Sequence, residues 1–186
     1  MSELTTERLL LRRWQVGDRA PFADLNADQE VMRYFPAVLT RRASDELADR
    51  IEADIARQGW GLWALEERAT GSFIGFTGLA RASLDASFTP AVEIAWRLSR
   101  TAWGSGFATE AAHAAAEFAF AELALDEIVS FTAQGNSRSR AVMRRLGMRH
   151  DHADDFDHPR VRDGHLRRHV LYRLARSDWE TSRRAR

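Results

Sequence analysis

From Val92 to Ala133 the chain alternates strand, turn, helix and strand in a way that admits few folds. Val92-Glu93-Ile94-Ala95-Trp96-Arg97-Leu98 reads as a strand. Trp103-Gly104-Ser105-Gly106-Phe107-Ala108-Thr109-Glu110-Ala111 follows with a tight Gly-x-Gly turn, and an Ala-rich periodic segment running to about Leu125 reads as a helix. Glu127 to Ala133, rich in β-branched and aromatic residues, is a second, buried strand. Two strands joined through a helix make a βαβ unit, which needs a sheet that the helix can cover. Ala108, Ala111, Ala112, Ala115, Phe118 and Ala119 form the inward stripe, and small residues there permit close packing on that sheet.

The flanking segments supply the rest of the sheet. Arg8 to Trp14 is a short apolar run with charged ends, a first strand. Gly17 and Asp18 open a helical stretch with Phe22 and Leu25 on one face, and Asp28 to Tyr34 reads as another short helical piece. From Ser44 to Gln58, Leu47, Ile51 and Ile55 recur at helical spacing; Ser44 is suited to cap the start and Gly59 the end. Trp60 to Glu66 and Ser72 to Ala80 flank Arg68-Ala69-Thr70-Gly71, a hairpin signal, while Gly75 and Gly78 within the second run indicate a bulge or a close backbone approach. Arg81 to Pro90 is a loop. Asn136 to Leu146 reads as a helix ended by Gly147, His150 to His165 as a polar loop, and Arg168 to Ala175 as a closing strand before a frayed tail from Arg183. The expectation is an α+β fold in a single domain, residues 1–186, with a mixed central sheet of six to seven strands flanked by helices.

A Gly-x-Gly turn leading into a helix suits an anion. Glycine lets the backbone approach closely, and the free N–H groups and positive dipole end of the helix favour negative charge. Phosphate is the default guest. The chain contains no lysine, so the turn is not the loop of nucleotide triphosphatases, and Thr109 stands where a dinucleotide fingerprint needs its third glycine. What remains resembles the pyrophosphate-binding loop Gln/Arg-x-x-Gly-x-Gly/Ala of the GNAT family of acyl-CoA-dependent N-acetyltransferases, falling here on Trp103, Gly106 and Ala108, with Trp103 departing from the common Gln/Arg. The run Trp-Gly-x-Gly-aromatic-Ala-Thr-Glu-Ala is similar to that of the branch of ribosomal-protein N-terminal (alanine/serine) acetyltransferases. A second segment, Asn136-Ser137-Arg138-Ser139 followed by Leu146-Gly147-Met148, resembles the family's Asn-x-x-Ser…Leu-Gly-Phe/Met. With the closing Leu166 to Tyr172 segment, the resemblance covers nearly the whole chain.

The resemblance implies acetyl-CoA as co-substrate, with no metal, and direct attack of an amine on the thioester. It implies CoA contacts at Ile94, Ala95, Trp96 and Leu98 on the strand, at Trp103, Gly104, Ser105, Gly106, Phe107, Ala108 and Thr109 in the loop, and at Asn136 and Ser139. Backbone N–H groups of Ile94 to Trp96 would serve the oxyanion. Asn136 would bind the pantetheine arm or anchor its loop; as a helix cap it has a structural use as well. Many relatives protonate the thiolate with a tyrosine seven residues after this asparagine, where this chain has Met143. Ser139, which the ribosomal-protein branch uses, takes that part. Glu93 is the expected base. Strand alternation points it away from Val92, Ile94, Trp96 and Leu98, on the face of Ala95 and Arg97. Apolar neighbours such as Phe76 or Phe88 would raise its pKa, whereas an ion pair with Arg97 would lower it and make it a structural residue; both readings stand.

Composition bounds the partners. Positive and negative side chains number 27 each, all the positive ones arginine, so no bulk field attracts nucleic acid or anionic membrane. There is no cysteine, hence no disulfide or thiolate chemistry, and no apolar run of membrane-spanning length. With no signal-like N-terminus, a cytoplasmic protein is expected. His150, His152, Asp154, Asp155, Asp157 and His158 could ligate a metal, but their spacing matches no zinc pattern, and no metal is expected. Asp155, Asp157 or His158 could instead meet a cationic amine at an acceptor entrance. The acceptor, a small-molecule amine or a peptide N-terminus, is not legible. Homodimers are common among relatives, though no surface patch here demonstrates one. A non-catalytic acyl-CoA-binding or sensing domain is the alternative function.

Overall fold

The computed structural model describes residues 3–162 and 164–184. They fall into two compact units, Met1–Leu79 with Ala95–Ala115, and Ala80–Ile94 with Ala116–Arg186.

The first unit contains β1 (Leu4–Thr5), β2 (Leu9–Arg12), a 3-10 turn at Val16–Asp18, α1 (Arg19–Ala27), α2 (Arg41–Gln58), β3 (Leu62–Glu67) and most of β4 (Ser72–Arg81). Antiparallel pairing sets Leu4 against Leu11 and Leu11 against Leu65. The β3–β4 register shifts between Leu65 and Glu66, opposite Gly75. At Gly75 and Gly78 a Cβ would lie 2.2 Å from the carbonyl oxygens of Arg97 and Gly61, so close backbone approach requires glycine at both. Trp14, Phe22, Leu25, Ile51, Ile55, Ala64 and Phe76 form the core, with Trp14 and Phe22 edge to face at 4.8 Å. Burying Ile51 and Ile55 contributes roughly 1.5–3 kcal/mol each.

Two sequence expectations in this unit change. The N-cap of α2 is Thr40, whose hydroxyl accepts from Ala43 N; Ser44 is fully buried and receives a hydrogen bond from Asn26 Nδ2 at 2.9 Å. Asp28 to Tyr34 is a chain of turns without a helix. The Asp28 carboxylate accepts from the N–H groups of Glu30 and Val31, which offers the backbone an alternative to helical bonding.

The second unit contains β6 (Glu127–Ala133), α4 (Ser137–Arg145), β7 (Arg149–His150), a 3-10 turn at His152–Asp154, β8 (Phe156–Asp157), β9 (Arg168–Ala175) and α5 (Arg176–Arg184). β6 and β9 pair antiparallel over their whole length, from Glu127↔Ala175 to Ala133↔His169. β7 and β8 both pair with β9. Phe88, Val129 and Leu171 are buried together, with Phe131 and Phe156 packed against them. The tail expected to fray from Arg183 begins inside the helix α5, where Trp179 is buried 5.9 Å from Phe120 and Arg183 pairs with Glu117. Asp163 of the polar loop and Ala185 and Arg186 of the tail lie outside the described residues.

β5 (Val92–Leu98) and α3 (Phe107–Ala121) have residues in both units. β5 and β6 are parallel, registered at Glu93↔Val129, while the pairs named above are antiparallel, so the sheet is mixed. Its hydrogen-bonded order is β1-β2-β3-β4-β5-β6-β9-β7, with β8 on β9. The strands number nine among the described residues, against six to seven expected. The excess is β1, β7 and β8, of two residues each, too short to carry a period-two signal. α3 ends at Ala121 rather than Leu125, and Ala108 is half-buried where the inward stripe has it buried.

Candidate functional site

In the first unit the turn between β5 and α3 is fixed from its outer end. Trp103 Nε1 donates to Leu98 O at 3.0 Å, and its ring packs on the Trp14–Phe22 core. Gly104 and Gly106 have φ of 79° and 82°, which L side chains rarely adopt. A Cβ on Gly104 would meet nothing within 4 Å, and one on Gly106 only Arg8 Nη2 at 3.5 Å. Backbone conformation, not crowding, is therefore what selects glycine here, and the space before the turn stays open. The first helical donation of α3 runs from Glu110 N to Gly106 O at 3.0 Å. Among the described residues, none of the N–H groups from Gly104 to Thr109 donates to a protein acceptor. A row of free donors at a helix start suits an oxyanion.

Thr6 and Arg8, which sequence reasoning did not single out, stand behind this turn and meet Glu110 of the Trp103–Ala111 run. Arg8 donates through Nε to Glu110 Oε2 at 2.7 Å, through its backbone N–H to Oε1 at 2.9 Å, and through Nη1 to Ser105 O at 2.8 Å. Thr6 Oγ1 donates to the same Glu110 Oε1 at 2.5 Å. Burial works to raise the Glu110 pKa, but the bonds from Thr6 and Arg8 outweigh it and hold the carboxyl below its usual range. Contacts across about a hundred residues leave no local pattern, so no sequence signal pointed to them.

On β5, Ile94 and Leu98 are buried, and Ala95 and Trp96 are half-buried; Ala95 O accepts from Thr77 Oγ1 at 2.9 Å. Arg97 makes a hydrogen bond to Asn26 Oδ1 at 2.5 Å and lies 4.2 Å over the Phe35 ring. Burial lowers its pKa to about 10.

In the second unit Glu93 is half-buried, and among the described residues its carboxylate has no hydrogen bond and no ion pair. Desolvation raises its carboxyl from 4.5 to about 8. The cross-strand registers place it on the sheet face of Val129, Phe131 and Leu171, and so on the side of the Phe88–Phe156 ring cluster. Asn136 caps α4: Oδ1 accepts from Ser139 N at 3.2 Å and Nδ2 donates to Thr132 Oγ1 at 2.9 Å. Its amide is thus committed to the loop and helix start. The half-buried Ser139 hydroxyl, in the first turn of that helix, makes no hydrogen bond among the described residues, and Met143 one turn on is fully buried.

The His/Asp-rich segment is largely self-satisfied. His150 Nε2 and Asp155 Oδ1 are 2.7 Å apart, and His152 Nδ1 is 3.4 Å from Asp155 Oδ2. These ligand-type atoms lie within 4.8 Å of one another, and they are the residues that could hold a metal ion. The His150 ring stacks on buried Tyr172 at 4.9 Å. Asp157 pairs with Arg167 and Arg168, so neither Asp155 nor Asp157 is a bare carboxylate. His158 and His169 lie 4.8 Å apart beside Phe131 and Phe156, and burial lowers both pKa values, keeping the imidazoles neutral at pH 7.

Residues 8–149 match a protein-family model described as an acetyltransferase (GNAT) domain. The Bacillus subtilis protein YkkB is 29% identical over 148 residues, 79% of this chain and 85% of that protein. Among solved structures, an acetyltransferase from Agrobacterium tumefaciens superposes with a TM-score of 0.77 at 26% identity, covering 95% of each chain. RimJ of Mycobacterium smegmatis, solved with CoA-disulfide, superposes with a TM-score of 0.73 at 20% identity, over 95% of this chain and 87% of its own; that likeness is one of fold. No helix among the described residues is long and apolar enough to cross a membrane.

Proposed function

Because the chain belongs to the GNAT acetyltransferase family, we propose that it moves an acetyl group from acetyl-CoA to an amine by direct attack on the thioester, residues 1–186 acting as one acyltransferase domain. The unpartnered carboxylate of Glu93 is the observation that carries this reading. A half-buried acid with no hydrogen bond, held near pH 8, is of little use to the fold and well suited to accept a proton from an ammonium group.

The chain's groups divide the work. The free N–H groups between Gly104 and Thr109 hold the pyrophosphate, with Trp103 fixing the turn. The backbone of Ile94 to Trp96, with Leu98 behind it, borders the thioester and supplies the oxyanion donor. The ammonium gives one proton to Glu93, and the freed amine nitrogen bonds to the thioester carbon. The second proton it sheds on becoming an amide passes to water, which balances the proton the thiolate takes up. As the tetrahedral intermediate collapses, the carbon–sulfur bond breaks. The departing thiolate takes a proton through Ser139, whose hydroxyl is free to donate and to be resupplied from water. Asn136 holds that serine's helix start in place. At pH 7 about one Glu93 in ten is ionised, so turnover should climb through pH 8 on its acid side.

The test is thiol release from acetyl-CoA across a panel of peptide N-termini, polyamines, amino acids and aminoglycoside amines, with products identified by mass spectrometry. Release with at least one amine, lost on Glu93→Gln with CoA affinity retained, is expected. CoA binding without release for every amine would make the chain a CoA-sensing domain instead.

A further inference from the structure

The network behind the turn ties the connection between β1 and β2 to the first turn of α3 and to Ser105. Glu110 lies in the first turn of α3, where its negative charge would compete with a bound anion for the free N–H groups and the dipole. It is met by Thr6 Oγ1, Arg8 N and Arg8 Nε, with Arg8 Nη2 a further 2.6 Å away. The same guanidinium reaches Ser105 O through Nη1 and lies 4.7 Å over the Phe107 ring. Ser105 C=O and Gly106 N–H belong to one trans peptide, so they point in opposite directions. Holding the carbonyl towards Arg8 turns the Gly106 N–H away from that guanidinium, where no protein acceptor among the described residues takes it.

We propose that Arg8 is the positioning residue of the anion-binding turn. It sets the Ser105–Gly106 peptide and neutralises Glu110, so that the turn presents donors and no uncompensated negative charge to a pyrophosphate. The inference rests on the acetyl-CoA reading above and adds to it a residue that touches no ligand.

Arg8→Met keeps the aliphatic stem and removes every side-chain donor. Its dissociation constant for CoA, by calorimetry in low salt well below the melting temperature, should rise about tenfold. The Michaelis constant for acetyl-CoA should rise in step, with turnover at saturation nearly unchanged. Turnover with S-acetylpantetheine, which lacks the pyrophosphate, should not move, whereas a merely structural loss would lower both substrates alike. Adding Glu110→Gln to Arg8→Met should recover part of the CoA affinity by removing the charge, the unfixed peptide accounting for the remainder. Wild-type CoA affinity in folded Arg8→Met, or equal losses with acetyl-CoA and S-acetylpantetheine, would overturn the proposal. Failure of the wild-type protein to bind CoA would instead overturn the acetyl-CoA reading, which keeps the two failures apart.

Discussion

Glu93→Gln changes one atom of the side chain and removes the ability to ionise, so the stability of the variant isolates what the carboxylate costs. The native carboxyl holds its proton up to about pH 8, while the unfolded chain releases it at 4.5. A pKa raised on folding stabilises the native state fully below 4.5, and that contribution drains away as pH rises through 8. Each pH unit between the two values removes about 1.4 kcal/mol. At pH 6 the loss is about 2 kcal/mol and at pH 9 nearly 5, so it deepens by about 2.5 kcal/mol between them. Glu93 is only half-buried, and water reaching it would at most halve that difference.

Urea unfolding at pH 6 and pH 9, with wild type and Glu93→Gln side by side, reads this directly and needs no acceptor. All other groups titrate alike in both proteins, so they cancel in the comparison. Relative to wild type, the glutamine variant should gain between about 1 and 2.5 kcal/mol on going from pH 6 to pH 9. A stability difference that stays flat across this range would show that Glu93 ionises normally, and the argument for a poised base would fall with it.

Two further outcomes are sharp. Ser139→Ala should lower turnover by ~10²-fold with CoA affinity kept, while Met143→Leu changes little, as steady-state kinetics and calorimetry will show. Equal rates in wild type and Ser139→Ala would leave the serine only a helix-start role. Gly78→Ala should cost roughly 2–4 kcal/mol in urea, since φ is +149° and the new Cβ would lie 2.2 Å from Gly61 O; a loss under about 1 kcal/mol would mean that β3 and β4 slide apart freely.

The parts of the fold legible in the sequence are those where one periodicity acts alone. Glu127–Ala133 and Arg168–Ala175 are read to the residue because the first is rich in β-branched and aromatic residues and the second is centred on the apolar run Val170-Leu171-Tyr172. α5 is illegible for the opposite reason: in Arg176–Arg184 the single large apolar residue is Trp179, and its burial against Phe120 is tertiary. Ser44 misleads because a serine at a plausible cap position is equally able to pair with a distant asparagine. Of the candidate site, the Gly-x-Gly turn is legible from its place between a strand and a helix, Glu93 from strand alternation together with the family resemblance, and Asn136 and Ser139 from that resemblance alone. Arg8 is not, because an arginine flanking a strand is ordinarily a solvated residue, and Glu110 is legible only as a member of the Trp103–Ala111 run, not in its pairing with Arg8. Only the fold makes them one network.

β5 is where stability and chemistry separate. Alternation places Glu93 and Arg97 on one face of the strand, and burial shifts each towards its neutral form. Arg97 recovers much of its cost through the bond to Asn26 and the rings of Phe35 and Phe76, although its Nε remains unsatisfied. Glu93 recovers nothing comparable: no donor, cation or capping group meets it among the described residues. A strand optimised for stability alone would carry a neutral side chain opposite Val129. Replacing Glu93 by glutamine should therefore stabilise the protein above pH 8 while removing its turnover. Both effects in one variant would assign the carboxylate to catalysis, and a variant that gains no stability or keeps its turnover would return it to the fold.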